Sequence, residues 1–267
     1  EEDPTFIYRV DPELKQTIIS GQGELHLDIA LKRISKRFNV ELETHIPKVP
    51  YRETISAKSG SKYRHKKQSG GSGQFAEVWM RIEPNVRGDG IDFINSLVGQ
   101  NVDRGFVPSV EKGINHICAQ GVIAGCKVVD IKIDFYDGKM HPVDSNDMAF
   151  QIAGRHAFSD AIKTAQPKLL EPIYKIQVKV PDDFTGDVMG DISSRRGRVQ
   201  GMDSEGHYQI INAELPLACL HDYSTALKAM SSGRGMFTQE FSHYEDMPRN
   251  EAEKVISTWE AARSAGE

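Results

Sequence analysis

The chain has 267 residues, 39% of them hydrophobic, and a formal net charge of −5. That length points to about two domains, and the hydrophobic share fills packed cores while staying too low for a membrane protein. No apolar run approaches the roughly 20 residues of a spanning helix, which argues against a membrane-embedded class, and no secretory apolar segment opens the given sequence. Cys118, Cys126 and Cys219 lack C-x-x-C spacing, arguing for buried thiols in a reducing compartment and against a zinc site. The chain starts at Glu1 without Met, as a fragment or a processed product would.

Residues 4–10 and 16–20 read as short strands joined by a turn at Asp11-Pro12-Glu13. Behind Gly21 and Gly23, Leu27, Ala30, Leu31, Ile34 and Phe38 recur at helical spacing, and VELETHI (40–46) alternates as a strand. Strand, strand, helix, strand is an incomplete α+β module. A second region opens near Val49-Pro50 with strands at about 51–56, 61–68 and 74–83. In the last of these Ala76, Val78, Met80 and Ile82 face one way and Glu77, Arg81 and Glu83 the other. A helix at about 109–120, a strand KVVDIKIDF (127–135) and a helix at about 146–165 follow, with the polar loop DGKMHPVDSND (137–147) before the last helix.

The third region is the most regular. It reads as a strand at 173–180, a helix begun at Thr185, strands at 198–203 and 207–215, a helix whose first turn suits Pro216, and a strand MFTQEFSHYE (236–245). This β-α-β-β-α-β order is the ferredoxin-like split βαβ pattern. Residues 249–264 add an amphipathic terminal helix.

Chemistry concentrates in HKKQSGGSGQF (65–75), a glycine-rich loop between two strands with Lys66 and Lys67 at its edge. A nucleotide P-loop requires Gly-Lys followed by Ser or Thr, but Gly73 precedes Gln74 and Gly138-Lys139 precedes Met140. No dinucleotide fingerprint follows a buried strand either. A flexible hairpin tip with solvated lysines is the plain reading. The alternative is a phosphate-contacting tip, since glycine lets backbone approach an anion and the cations attract phosphate. The net acidity is no obstacle, because binding depends on where the positive groups sit. His141, Asp144 and Asp147 could hold a metal or pair a base with a carboxylate, as in a metal-dependent hydrolase. Pro142 and the turn composition also explain them as loop formers, with Asp147 as a helix-start acid. Arg195, Arg196 and Arg198 flank Gly197 at a helix end, where basic residues are ordinary. His221 and Asp222 sit at a helix start as capping or core groups.

QTIISGQGELHLDIALKRISKRFNVE, KVPYRETI, HKKQSGGSGQFAEV, HPVDSNDMAF, LLEPIYKIQV, TGDVMGDISSRRGRVQGM and LHDYSTALKAMSSGRGMFTQEFSHYE resemble, in order, signatures of bacterial translation elongation factor G. The resemblance implies a multidomain α+β chain. Residues 1–47 would be part of the third domain, 48–171 the ribosomal-protein-S5-like fourth domain, and 172–267 the ferredoxin-like fifth domain with its terminal helix. It implies a cytoplasmic monomer, outside membranes, that promotes tRNA–mRNA translocation. Its partners are the ribosome, at the small-subunit decoding site and the large-subunit factor-binding region, and tRNA and mRNA. This part of the factor has no catalytic, metal or cofactor site; GTP and magnesium belong to a GTPase domain upstream. RNA and ribosome contacts fall on Lys66, Lys67, Ser69, Gly70, Gly71, Gly73, Gln74, His141, Asp144, Arg195, Arg196 and Arg198.

The tip would meet codon and anticodon through backbone and minor groove, where 2′-hydroxyl and shape contacts demand no fixed sequence. Three positions depart from the family pattern: Ser72 replaces an arginine, Pro142 an aspartate, and QNVDRGF (100–106) a VIPGEY-like turn. They suit a diverged paralogue, for which ribosome recycling or ribosome protection is the alternative role.

Overall fold

The computed structural model describes residues 3–68 and 73–265. The chain divides into two compact units, one of residues 1–50 with 171–245 and one of residues 51–170 with 246–267.

The first segment forms β1 (Ile7–Asp11), β2 (Gln16–Ser20) and α1 (Glu24–Phe38). The two strands pair antiparallel, Tyr8 opposite Ile19. Asn39, at φ 51°, ends α1 in the left-handed conformation and returns its N–H to Ser35 O. The strand expected at 40–46 is absent: these residues are irregular, with Val40, Leu42 and Ile46 exposed. Alternation alone forms no strand when no neighbouring strand accepts its backbone hydrogen bonds.

In the second unit β3 (Arg52–Ile55) precedes β4 (Ser59–Lys67), β5 (Gln74–Pro84) and β6 (Ile91–Asn95). Then come α2 (Val107–Gln120), β7 (Lys127–Val128), β8 (Ile131–Lys139) and α3 (Asp147–Thr164). A four-stranded sheet runs in the order β4-β5-β8-β6. Its inner face is the set read from alternation, Ala76, Val78, Met80 and Ile82, joined by Ile131, Ile133 and Phe135. These side chains pack on Phe150, Ala153, Ala157, Phe158 and Ile162 of α3. Asn146 starts α3 by accepting from Ala149 N at 2.8 Å. Helices α2 and α3 approach so closely that a Cβ on Gly113 would lie 2.2 Å from Gln151 O.

Two expectations change here. The run 127–135 is two strands, broken at Asp130 (φ 59°), whose buried carboxylate accepts from Gly88 N and Gly90 N at 3.0 and 3.1 Å. The turn it stabilises delivers β6, which sequence reading missed, as a parallel partner of β8. Of the three cysteines only Cys118 is fully buried.

β9 (Pro167–Pro181) begins in this unit, pairing Pro167 through Leu170 with β3. Its later residues belong to the other unit, with α4 (Thr185–Ser194), β10 (Arg198–Glu205), β11 (Tyr208–Pro216), α5 (Tyr223–Met230) and β12 (Met236–Asp246). The strand order β12-β9-β11-β10 is the ferredoxin-like arrangement. Val188, Ile192, Tyr223 and Leu227 cover its Ile176, Val178, Ile211 and Leu215. Pro216 ends β11 and a 3₁₀ turn at Leu217–Cys219 follows, so α5 begins seven residues later than the proline suggests. α6 (Arg249–Ala265) groups with the 51–170 unit, where Ala252, Val255 and Ile256 pack against Leu169 and Met247.

Candidate nucleic-acid interface

The β4–β5 hairpin and the β8–α3 loop meet at one end of the four-stranded sheet. Phe75 N donates to Asp144 O at 2.8 Å, and Ser145 Oγ donates to Phe75 O at 2.7 Å. The same Ser145 Oγ accepts from His141 N at 2.8 Å. Gly73 suits this closeness, because a Cβ there would stand 2.8 Å from the Asp144 carboxyl and oblige that side chain to shift. Gln74 Oε1 lies 2.9 Å from His65 Nε2 across the hairpin. Lys66 and Lys67 pair across the strands with Phe75 and Gln74 and are exposed. Ser69, Gly70 and Gly71 lie outside the described residues.

His141 is half-exposed. Its Nδ1 accepts from Val143 N and Asp144 N at 3.3 and 3.2 Å, so the neutral ring carries its proton on Nε2 and presents a donor there. Asp147, the third member of the metal-site reading, instead accepts from Ser109 Oγ at 2.7 Å. Among the described residues no group of three or more His, Cys, Asp or Glu is arranged to hold a metal ion.

A third segment joins the tip; from sequence it stands out only as QNVDRGF (100–106), a departure from the family pattern, with no contact role assigned to it. Asn101 O accepts from Met140 N at 3.2 Å, and Asn101 Nδ2 donates to Asp137 Oδ1 at 3.2 Å. Val98 and Val143 are exposed in these loops, at 85% and 81%.

The three arginines of the other unit are engaged with carboxylates. Arg195, only 17% exposed, donates to Asp191 Oδ2 at 2.8 Å, Asp222 Oδ1 at 2.6 Å and Cys219 O at 3.0 Å. Arg196 grips the buried Glu171, and Arg198 makes a two-pronged pair with Glu245 at 3.1 and 2.7 Å. Asp222 thus serves as Arg195's partner, with no side-chain cap on α5.

Sequence models of elongation factor G match the chain along nearly its whole length: domain III over residues 1–46, domain IV over 47–166 and the C-terminus over 168–255. The chain belongs to the elongation factor G family. A crystal structure from Thermus thermophilus superposes with a TM-score of 0.85 at 39% identity, covering 98% of this chain. The chain spans 39% of the length of that protein. In elongation factor G terms the hairpin, the His141 loop and the Asn101 segment all fall in the domain IV match, and the three arginines fall in the C-terminus match. Among the described residues no helix is long and apolar enough to cross a membrane.

Proposed function

We propose that this chain is the ribosome-binding C-terminal portion of a translational GTPase that promotes tRNA–mRNA translocation. The observation that carries it is the fastening of the two loops at one end of the sheet through Phe75, Asp144, Ser145 and His141. That fastening brings the His141 loop to Phe75, which with Gln74 pairs across the strands with exposed Lys66 and Lys67, a set of donors and cations suited to RNA backbone and 2′-hydroxyls. The tip enters the decoding site and occupies the space that the tRNA vacates, blocking its return. Residues 1–47, 48–171 and 172–267 act as the third, fourth and fifth domains. GTP and magnesium act in a GTPase domain outside this chain, which works as a cytoplasmic monomer on ribosomes carrying tRNA and mRNA. Large-subunit contact by the arginine cluster falls first on Arg198, whose side chain is 67% exposed despite its pair. Ribosome recycling or protection is the second reading; it is favoured by the Asn101 segment, which builds into the tip at a place where the family commonly carries another turn.

Co-sedimentation with ribosomes, in competition with full-length elongation factor G, tests this. Binding should be competitive, weaken steeply with salt, and weaken further for Gln74→Ala/His141→Ala. Binding indifferent to that double change refutes the tip as the contact.

A further inference from the structure

The four-stranded sheet packs one face on α3 and leaves the other open. An open antiparallel face is ordinarily covered by polar residues, yet this one carries two aromatic rings at its centre. Trp79 of β5 and Tyr136 of β8 meet edge-on, with centroids 6.3 Å apart and planes at 73°. Their placement follows from a bulge: Trp79 pairs with Asp137 and Met80 with Phe135, so Tyr136 is the extra residue, turned to the same face. Each ring has its own cation. The Lys62 ammonium lies 4.1 Å over Trp79 and the Arg81 guanidinium 4.1 Å over Tyr136.

Beneath them Glu77, fully buried, anchors the arrangement. Its Oε1 accepts from Trp79 Nε1 at 2.7 Å, its Oε2 from Arg64, and Lys62 stands 3.4 Å away. Trp79's polar edge is thereby held by the protein, and a stacking base would take the ring faces that the Lys62 and Arg81 side chains cover, moving these exposed cations aside toward its phosphates. Lys62, Arg64 and Arg81 remain 52%, 54% and 64% exposed. The acids around the rings include Glu83, paired with Lys58 at 2.5 Å, Asp134, 3.9 Å from Arg81, and Asp137, opposite Trp79, which accepts from Asn101 Nδ2 at 3.2 Å.

We infer that this open face is a second RNA-contact surface, separate from the tip, which stacks unpaired bases on Trp79 and Tyr136 and places their phosphates among Lys62, Arg64 and Arg81. The inference extends the proposed ribosomal role. Flat rings interleaved with cations match single-stranded nucleic acid, because every base offers a stacking face and every linkage a negative charge. A duplex hides its base faces. An acidic peptide would engage the cations and have no use for the rings, while an apolar partner would bury three charges.

The test needs no ribosome. The chain has two tryptophans, so a Trp259→Phe variant reports Trp79 alone. Titration with an oligouridylate of about 10 nucleotides at low salt should quench its emission, and added salt should reverse the effect. With labelled oligouridylate followed by anisotropy, Trp79→Ala/Tyr136→Ala should weaken binding about tenfold or more, and Tyr136→Ala alone several-fold. Far-UV circular dichroism checks that the variants fold, and Trp79→Phe, which keeps a ring, should retain most of the affinity. Three results would overturn the inference: no quenching at low salt, unchanged binding by the double variant, or equal quenching by polyglutamate, which would mark a protein partner. Oligouridylate binding that persists while ribosome co-sedimentation fails would count against the translocation reading alone.

Discussion

Glu53→Gln should unseat the loop that links α2 to β7. Glu53 is 1% exposed inside β3, and its carboxylate takes four backbone donors. Val122 N and Ile123 N reach Oε2 at 2.7 and 3.0 Å, and Ala124 N and Cys126 N reach Oε1 at 2.9 and 3.0 Å. Glutamine keeps the shape but turns one oxygen into an NH₂ group that faces two N–H donors. Two hydrogen bonds to a charged acceptor are lost, at about 1.5–3 kcal/mol each, so the change should cost roughly 3–6 kcal/mol. Against a total stability of about 5–15 kcal/mol that is severe, and it should lower the unfolding midpoint by roughly 10 °C. The emission of Trp259 reads the same loop, because the ring packs over Gly125, where a Cβ would come within 2.2 Å of Nε1. A Trp79→Phe background isolates that signal. Cys118 gives a second readout: burial, and then the charge of Glu53, push its thiol up to about 12. The thiol should resist alkylation at neutral pH in the parent and become reactive as the loop opens in Glu53→Gln. A loss below about 1 kcal/mol in urea unfolding would refute the reasoning.

Gly113→Ala places a methyl against backbone, 2.2 Å from Gln151 O. The gain in helix propensity, about 1 kcal/mol, should be outweighed by the forced separation of α2 and α3, for a net loss of about 1–2 kcal/mol in urea unfolding. Arg196→Ala strands the Glu171 carboxylate, whose side chain is 5% exposed. With Arg196 itself one-third exposed, a cost of about 2 kcal/mol is expected, below that of a fully buried pair. Arg196 also sits at φ 64°, so Arg196→Gly should cost less than Arg196→Ala; the reverse order would contradict the account. The hydrogen bond from Arg195 holds the Asp222 carboxyl below its ordinary range, against a smaller opposing effect of burial. A depressed folded-state value stabilises above the unfolded pKa of about 3.9 and loses that contribution as pH falls through the folded value. Asp222→Asn should therefore flatten part of the acid-side decline in stability, measured by urea unfolding at successive pH values.

Strong local signals carried much of the architecture. The alternation of Ala76, Val78, Met80 and Ile82 is the inner face of β5, and the β-α-β-β-α-β order is the ferredoxin-like module. What failed depended on partners distant in sequence. IDFIN alternates over residues 91–95, but it is a strand only because β8 lies beside it; VELETHI alternates equally well and finds no partner. Asp130 reads as one more outward residue of a strand until its carboxylate is seen holding Gly88 and Gly90. The two candidate loops were legible as polar turns rich in glycine and proline, whereas their fastening through Ser145 and Phe75 was not, since it joins positions 70 residues apart. The carboxylate partners of Arg195 and Arg198 include Asp222 and Glu245, which lie 27 and 47 residues away, so local sequence showed only basic residues at a helix end. Trp79 sits on a strand whose inner face was read as observed, whereas Tyr136 lies one residue beyond the strand expected at 127–135, and the bulge that brings the rings together leaves no mark in sequence.

The central claim is that the hairpin tip lies in the decoding site when the chain is on the ribosome. A photo-crosslinking amino acid at Gln68, exposed at the end of β4, tests it directly. Illumination of ribosome complexes should join position 68 to decoding-site RNA of the small subunit and to the tRNA anticodon arm. A complex that sediments normally but crosslinks only to the large subunit, or to proteins far from the decoding site, would contradict it.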